Sequence, residues 1–319
     1  MADILMLWPD ITEDIPALIK RRYSKYVEVR NLYKKTGKIG RVFRKVLSQQ
    51  HWSTACFFDD WIDIIYQFKI IIIHANVINQ SVPDILRKMG YKGRIIYWYW
   101  NPVCNCVSPN SINRNCCELW SFSKADCKRY RMLYNSTYYF KELDTYIDDF
   151  QNDGSSDSIE FQKETDTDIF FVGVDKGRYG KLMAFKSMAE KVGLKTDFRI
   201  VRDANSDAFG EYSSRLNYEE IVNLTKKSRA ILEVLQEGQT GMSLRTMEAI
   251  FFGKKLITDN VAIQRENFFD DKTVLVLDGK ETEPDFPYNL YHFVRENDAK
   301  FASEYIDYYD FRNWLKRFG

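Results

Sequence analysis

Short apolar runs alternate with helix-like patterns along the chain. Within each run the apolar residues mostly follow one another directly, and the runs occupy residues 4–7, 70–74, 94–98, 169–172, 198–201, 230–234, 255–258 and 273–277. Such continuous runs are typical of strands that are buried on both faces of a parallel sheet. The pattern therefore predicts an α/β fold with parallel sheets.

The pattern is interrupted and then restarts. Residues 142–168 are acidic and contain Gly and Ser, as a linker would. A new strand, a Gly-containing loop and a helix follow, and the helix is predicted to end at Gly193. We predict two Rossmann-like domains, 1–150 and 151–290, with the active-site cleft between them at the carboxyl ends of the strands. A C-terminal helix at 291–319 is predicted to bridge the domains.

Charge and hydropathy narrow the functional classes. The 319 residues carry a formal net charge of +1, which gives no case for a nucleic-acid partner. Residues 1–8 lack the basic start and long apolar core of a signal peptide. No apolar run approaches the roughly 20 residues that cross a bilayer. We therefore expect a cytoplasmic protein.

Four of the six cysteines are close together in sequence. Cys104, Cys106, Cys116 and Cys117 lie in a segment rich in Asn and Ser. A thiolate zinc site and a loop of free thiols are both compatible with this density, but the paired Cys-x-x-Cys spacing of zinc sites is absent. We expect reduced thiols and no metal.

Residues 230–258 carry the strongest functional signal. They form a pattern of strand, Gly-rich turn at 238–241, helix and strand. The helix that begins near Ser243 offers free amide groups and a positive dipole end to an anion. Arg245 adds a forked cation that suits phosphate oxygens. Glu248 follows one helical turn later, where its carboxylate can accept two ribose hydroxyls.

This segment resembles the donor-binding segment of GT-B glycosyltransferases, in which a Glu, a Gly-containing turn and a second Glu eight positions later recur. The second Glu matches Glu248, and the resemblance implies that it holds the ribose. The first Glu maps onto Thr240, and Glu237 lies three residues out of register. Glu237 is nevertheless kept as a catalytic candidate, because the first Glu of retaining enzymes lies beside the donor sugar.

A second segment, residues 168–182, resembles the GT-B loop whose amides and cations reach the donor phosphates. Arg178 and Lys181 are the candidate cations there, at the start of a helix. In similar enzymes the loop before the helix at Tyr218 lies beside the base, although a simple helix start explains this tyrosine equally well. The predicted donor-binding residues are Gly173, Arg178, Lys181, Tyr218, Thr240, Gly241, Ser243, Arg245 and Glu248.

An inverting transfer also needs a general base near the acceptor. Asp10 and His74 follow or end predicted strands and are expected at their carboxyl edge, and Asp126 is a weaker candidate. His74 is equally well explained as a structural residue that hydrogen-bonds the next loop. The pair Asp166 and Asp168 is interpreted as a solvated edge, because it leads into a strand and lies in the linker. No cofactor is expected, because in GT-B enzymes helix dipoles and cations replace a metal in stabilising the departing diphosphate.

A basic region extends from Lys20 to Lys45, with Glu28 as its only acid. Such a region attracts anionic lipid or a lipid-linked diphosphate, and a solvated helical face is the alternative. We expect peripheral contact with the inner face of the membrane through this region.

The resemblance implies a function. It implies a glycosyltransferase, expected to be a hexosyltransferase, that moves a sugar from a nucleotide-sugar donor to a glycan or lipid-linked acceptor in surface polysaccharide synthesis. Two alternatives stay open: a sugar-nucleotide epimerase or hydrolase on the same fold, and a non-catalytic scaffold that binds sugar nucleotides. The scaffold alternative arises because Thr240 stands where a Glu is expected.

Overall fold

The computed structural model describes residues 2–50, 52–141, 143, 167–204, 206, 209–236, 241–296 and 298–319. They fall into two units, one of Met1–Ser136 with Trp314–Gly319 and the other of Thr137–Asn313. The division differs from the expected one, since the change of unit precedes residue 150 and the last six residues belong to the first unit. Most of the acidic segment at 142–168 lies outside the described residues.

The first unit contains a parallel sheet with the strand order β2-β1-β3-β4-β5-β6. Its strands are β1 Ile4–Trp8, β2 Glu28–Asn31, β3 Ile70–His74, β4 Arg94–Tyr99, β5 Glu118–Ser121 and β6 Leu133–Tyr134. Its helices are α1 Asp14–Arg22, α2 Lys38–Gln49, α3 Val82–Lys88 and α4 Lys124–Tyr130.

The apolar runs form the central strands of this sheet, as predicted. Leu5, Met6 and Leu7 of β1 are completely buried, and β1 lies between β2 and β3. Burial on both faces removes the alternation that a half-exposed strand would show. The sequence analysis did not predict β2, β5 or β6. Of these, β2 and β6 are short edge strands, and β2 is largely polar.

The second unit repeats the design with the parallel order β11-β10-β9-β7-β8. Its strands are β7 Thr167–Val174, β8 Thr196–Val201, β9 Ser228–Glu233, β10 Lys255–Thr258 and β11 Val274–Val276. The helices of this part of the chain are α5 Tyr179–Lys191, α6 Tyr218–Lys226, α7 Leu244–Phe251, α8 Phe286–Arg295, α9 Ser303–Tyr309 and α10 Phe311–Lys316.

The C-terminal segment corrects one prediction. Residues 291–319 do not form a single helix, because α8 ends at Arg295 and the chain leaves helical geometry again at Asp310. There the backbone pairs with Tyr139, which donates its N–H to Tyr309 and accepts that of Phe311. This pairing uses backbone groups that a continuous helix would bond internally.

Across the described residues, no helix combines the length and apolar character needed to cross a membrane.

Candidate functional site

The start of α7 is fixed to the carboxyl ends of two strands by Glu233. This buried residue is the last of β9, and its carboxylate accepts hydrogen bonds from the hydroxyls of Ser243, Thr246 (2.8 Å) and Thr258 (2.5 Å). Ser243 is also the N-cap, and its Oγ accepts the N–H of Arg245 at 2.9 Å. Three charge-assisted hydrogen bonds therefore hold the first turn of α7 beside β9 and β10.

Sequence reasoning missed Glu233. The signal was an acidic residue at the end of an apolar strand, followed by hydroxyl residues at Ser243, Thr246 and Thr258. Its meaning depends on the parallel packing of β9 and β10, which brings residues distant in sequence to one carboxylate.

Glu248 is buried in the middle of α7, with 0 % of its surface exposed. Its carboxylate forms an ion pair with Arg245 and accepts a hydrogen bond from the Tyr218 hydroxyl at 3.3 Å. Burial raises the pKa of Glu248 to about 7, although Arg245 and the Tyr218 hydroxyl act to lower it. Three residues predicted to bind donor, Tyr218, Arg245 and Glu248, thus meet at one place.

Tyr139 completes this cluster from a distant part of the sequence. Its hydroxyl lies 2.7 Å from that of Tyr218, in a hydrogen bond between the two phenols. Its ring packs 5.0 Å from Phe251 and 5.8 Å from Phe252 at the end of α7. Burial raises the pKa of both tyrosines well above the usual range, so both remain neutral hydrogen-bonding groups.

Arg178 lies in the loop between β7 and α5. Its guanidinium donates to the backbone carbonyls of Val174, Asp175 and Val234, which joins the ends of β7 and β9. Burial lowers the pKa of Arg178, but an arginine remains charged. A Cβ on Gly173 would lie 3.4 Å from the Phe171 ring and 3.6 Å from this guanidinium, both at ordinary contact distance.

The same loop turns sharply before α5. Lys176 and Gly177 both have positive φ angles, of 51° and 77°. Lys181, in the first turn of α5, forms an ion pair of 2.9 Å with Asp259, just beyond β10. The other oxygen of Asp259 accepts the N–H of Leu235 at 2.8 Å. The predicted phosphate cations therefore already have partners within the protein.

The Gly-rich turn is only partly described. Glu237 and Thr240 lie outside the described residues, and their predicted roles stay predictions. Gly241 is buried two residues before the helix cap.

In the first unit, His74 ends β3 and is 5 % exposed. Its Nδ1 lies 3.3 Å from the carbonyl oxygen of Leu7, and its ring centroid is 4.2 Å from that of Trp8. Among the described residues, its Nε2 has no hydrogen-bond partner. Burial lowers the pKa of His74 to about 4, so the imidazole is neutral near pH 7.

The carboxylates of the two other base candidates accept hydrogen bonds from backbone N–H groups. Asp10 accepts the N–H and hydroxyl of Thr12, at 2.9 and 2.7 Å, and these hydrogen bonds lower its pKa. Asp126 accepts the N–H of Val103 at 3.1 Å.

Asp168 corrects another prediction. The residue is not a solvated edge, because it is buried and forms ion pairs with Arg295 (2.7 Å) and Arg229 (3.4 Å). It also accepts the N–H of Lys195 at 2.8 Å. A charge at the start of a central strand is tolerated here because two guanidiniums neutralise it.

The cysteine loop contains free thiols. Within the described part of the chain, no group of three or more His, Cys, Asp or Glu side chains is arranged to hold a metal ion.

Comparison with known proteins gives fold-level matches. No protein-family model and no curated protein sequence matches the chain. A UDP-forming α,α-trehalose-phosphate synthase from Burkholderia xenovorans, in complex with glucose-6-phosphate, matches over 100 % of this chain and 99 % of its own, with a TM-score of 0.58 and 8 % identity. The E. coli structure of trehalose-6-phosphate bound with UDP-2-fluoro glucose covers 99 % of this chain and 97 % of its own, with a TM-score of 0.57 and 11 % identity.

A sucrose-phosphate synthase from Thermosynechococcus elongatus matches over 100 % of this chain and 98 % of its own, with a TM-score of 0.54 and 10 % identity. Together with the two parallel sheets, these matches define the chain as a two-unit, Rossmann-like α/β protein of the GT-B fold. The fold class predicted from the sequence is confirmed.

Proposed function

We propose that the protein is a glycosyltransferase that moves a sugar, a hexose in the simplest case, from a nucleotide-sugar donor to an acceptor hydroxyl. The observation that carries the proposal is the convergence of Tyr218, Arg245 and Glu248 at a helix whose start Glu233 fixes to the strand ends. The matching solved structures support it, since their descriptions include UDP formation and bound UDP-2-fluoro glucose.

Glu248 is the proposed ribose ligand. A carboxylate offers about four lone-pair sites. Arg245 and the Tyr218 hydroxyl each engage one oxygen of Glu248, so acceptor capacity remains on both oxygens for two ribose hydroxyls. Since Arg245 and Tyr218 also fix the carboxylate in one orientation, little ordering is needed when donor binds.

The diphosphate is proposed to bind through cations and helix starts. Arg245 lies in the first turn of α7, and Arg178 and Lys181 lie at the start of α5. As the bond to the sugar breaks, negative charge grows on the departing diphosphate, and fixed cations and helix dipoles stabilise it. A metal ion is not required by this arrangement.

His74 is the proposed general base in the first unit. The acceptor oxygen attacks the anomeric carbon, the bond between that carbon and the diphosphate oxygen breaks, and the acceptor proton passes to Nε2. The ring is neutral at pH 7, and in the tautomer that donates Nδ1–H to the Leu7 carbonyl, Nε2 can accept this proton. Nε2 has no partner among the described residues. We propose a glycan or lipid-linked sugar of a surface polysaccharide as the acceptor.

Calorimetric titration with a panel of nucleoside diphosphates tests the donor site. Glu248→Ala is expected to reduce the affinity for the preferred nucleotide at least about tenfold, since each lost hydrogen bond to a charged group is worth about 1.5–3 kcal/mol. Glu219→Ala, on the exposed surface of α6, is the matched control and should bind normally. Unchanged affinity of the Glu248 variant for every nucleotide would refute the proposal.

Product analysis separates the alternatives. A transferase consumes donor only when a suitable acceptor is present, whereas an epimerase or hydrolase consumes it alone. Donor binding without turnover across an acceptor panel would identify a scaffold.

A further inference from the structure

Helix α2 carries an apolar stripe that faces solvent. Ile39, Val42, Phe43 and Val46 are 87, 64, 56 and 45 % exposed. Their spacing of three, four and seven residues from the first places them on one face of the helix. A helix that served only the core of its own unit would turn such a face inward.

The opposite side of α2 attaches the helix to the first unit. Ser48 is buried, and its hydroxyl donates to the carbonyl of Val77 while its own carbonyl accepts from Gln80, both at 2.7 Å. The Arg44 guanidinium lies 4.2 Å from the centroid of the Tyr33 ring. These contacts fix the orientation of α2 and leave its apolar stripe outside.

The charge around the stripe has one sign. Residues 34–50 contain no acid and six basic residues, namely Lys34, Lys35, Lys38, Arg41, Arg44 and Lys45. Lys38, Arg41 and Lys45 of α2 are exposed. This cluster is local, because the whole chain carries a net charge of only +1. An isologous contact between two copies of α2 would bring these like charges together, so a second copy is a poor occupant.

We propose that α2 docks the protein on an anionic lipid bilayer. The apolar stripe enters the boundary between headgroups and acyl chains, and the flanking basic side chains bind the anionic headgroups. Trp52, which is 61 % exposed just beyond the helix, lies where an interfacial aromatic residue would anchor the segment. A helix of 12 residues is about 18 Å long and lies in the interface without spanning it.

The structure also narrows the earlier expectation that residues 20–45 as a whole contact the membrane. In and beside α1, Leu18, Ile19 and Tyr23 are buried. The apolar side of α1 therefore packs inward, and α2 supplies the membrane contact.

Co-sedimentation of the full-length protein with vesicles tests the proposal. We expect binding at low salt to vesicles of equal parts phosphatidylglycerol and phosphatidylcholine, and little binding to phosphatidylcholine alone. Val42→Asp should weaken binding by about tenfold or more, because a charge would enter the apolar boundary. Val261→Asp is the matched control, since it replaces another valine that is 51 % exposed, and it should bind as the wild type does.

A second measurement detects insertion directly. Lipids brominated on their acyl chains should quench part of the tryptophan fluorescence, and Trp52→Phe should remove that part. Nucleotide affinity and the thermal midpoint of Val42→Asp should match the wild type, which separates membrane docking from the donor site and from unfolding.

Three results would overturn the proposal. They are no binding to anionic vesicles at low salt, equal binding of Val42→Asp and wild type, and a dimer in lipid-free solution that Val42→Asp dissociates. The last result would make a second copy the occupant of the stripe.

Discussion

Arg245 and Glu248 lie one turn apart on α7 and form an ion pair in which the carboxylate is fully buried. A buried ion pair does not necessarily stabilise the fold, because the free-energy cost of removing the charges from water often exceeds the attraction between them. The pKa of Glu248, about 7, expresses that imbalance, since burial outweighs the attraction of Arg245.

The first prediction concerns stability against pH. The folded pKa of Glu248, about 7, lies above its ordinary value of 4.5, so the folded state holds this proton more tightly. The contribution to stability is fully present below about pH 4.5 and is lost as pH rises through 7. Across that window Glu248 should cost about 3 kcal/mol of unfolding free energy. Urea denaturation at several pH values should show this component in the wild type and not in Glu248→Gln.

The second prediction concerns nucleotide binding against pH. An ionised Glu248 accepts two ribose hydroxyls more strongly than a neutral carboxyl does. Affinity for the preferred nucleoside diphosphate should therefore fall, by about tenfold, as pH drops from 8 to 6. The 2′,3′-dideoxy nucleotide is the control, because it lacks both hydroxyls. Equal pH dependence for the two nucleotides would contradict a role for Glu248 at the ribose.

The third prediction concerns Glu233, which accepts hydroxyl hydrogen bonds from Ser243, Thr246 and Thr258. Glu233→Gln replaces one acceptor oxygen with a donor, so one hydroxyl must reorient or lose its partner. We expect a loss of about 2 kcal/mol in unfolding free energy, measured by denaturant titration. Nucleotide affinity should fall as well, because the start of α7 loses its fixed position. Glu283→Gln, at an exposed residue, serves as the control and should change neither quantity.

The fourth prediction concerns His74. Its folded pKa, about 4, lies below its ordinary value of 6.5, so unfolding is favoured when the ring gains a proton. The stability that the folded state gains from a neutral His74 is fully present above pH 6.5 and is lost as pH falls towards 4. The total loss of unfolding free energy is about 3 kcal/mol. The difference in unfolding free energy between the wild type and His74→Gln should therefore change with pH only below about 6.5. A constant difference across this range would show that His74 is not buried as a neutral ring.

Much of the fold could be predicted because the decisive signals are local. The run at 255–258 coincides with β10, and Gly193 follows α5 with a positive φ of 85°. Strand β2, Glu28–Asn31, was missed because an edge strand does not need a continuous apolar sequence.

The site was predicted less completely. Tyr218, Arg245 and Glu248 could be predicted as site residues because helix starts and helical spacing are visible in the sequence. Tyr139 could not be found in this way, since its contact with Tyr218 joins residues 79 positions apart. Nor did the sequence indicate that Arg178 donates to three carbonyls, because backbone positions emerge only from the assembled sheet.

Lys181 already forms an ion pair with Asp259, at 2.9 Å, before any phosphate binds. An arriving diphosphate would exchange one anion for another at this lysine, and the energy gained there is the difference between two attractions. The exchange would also release one oxygen of an aspartate whose other oxygen accepts the N–H of Leu235, two residues beyond β9. Occupancy of the site would thereby reach the end of β9 through a single carboxylate.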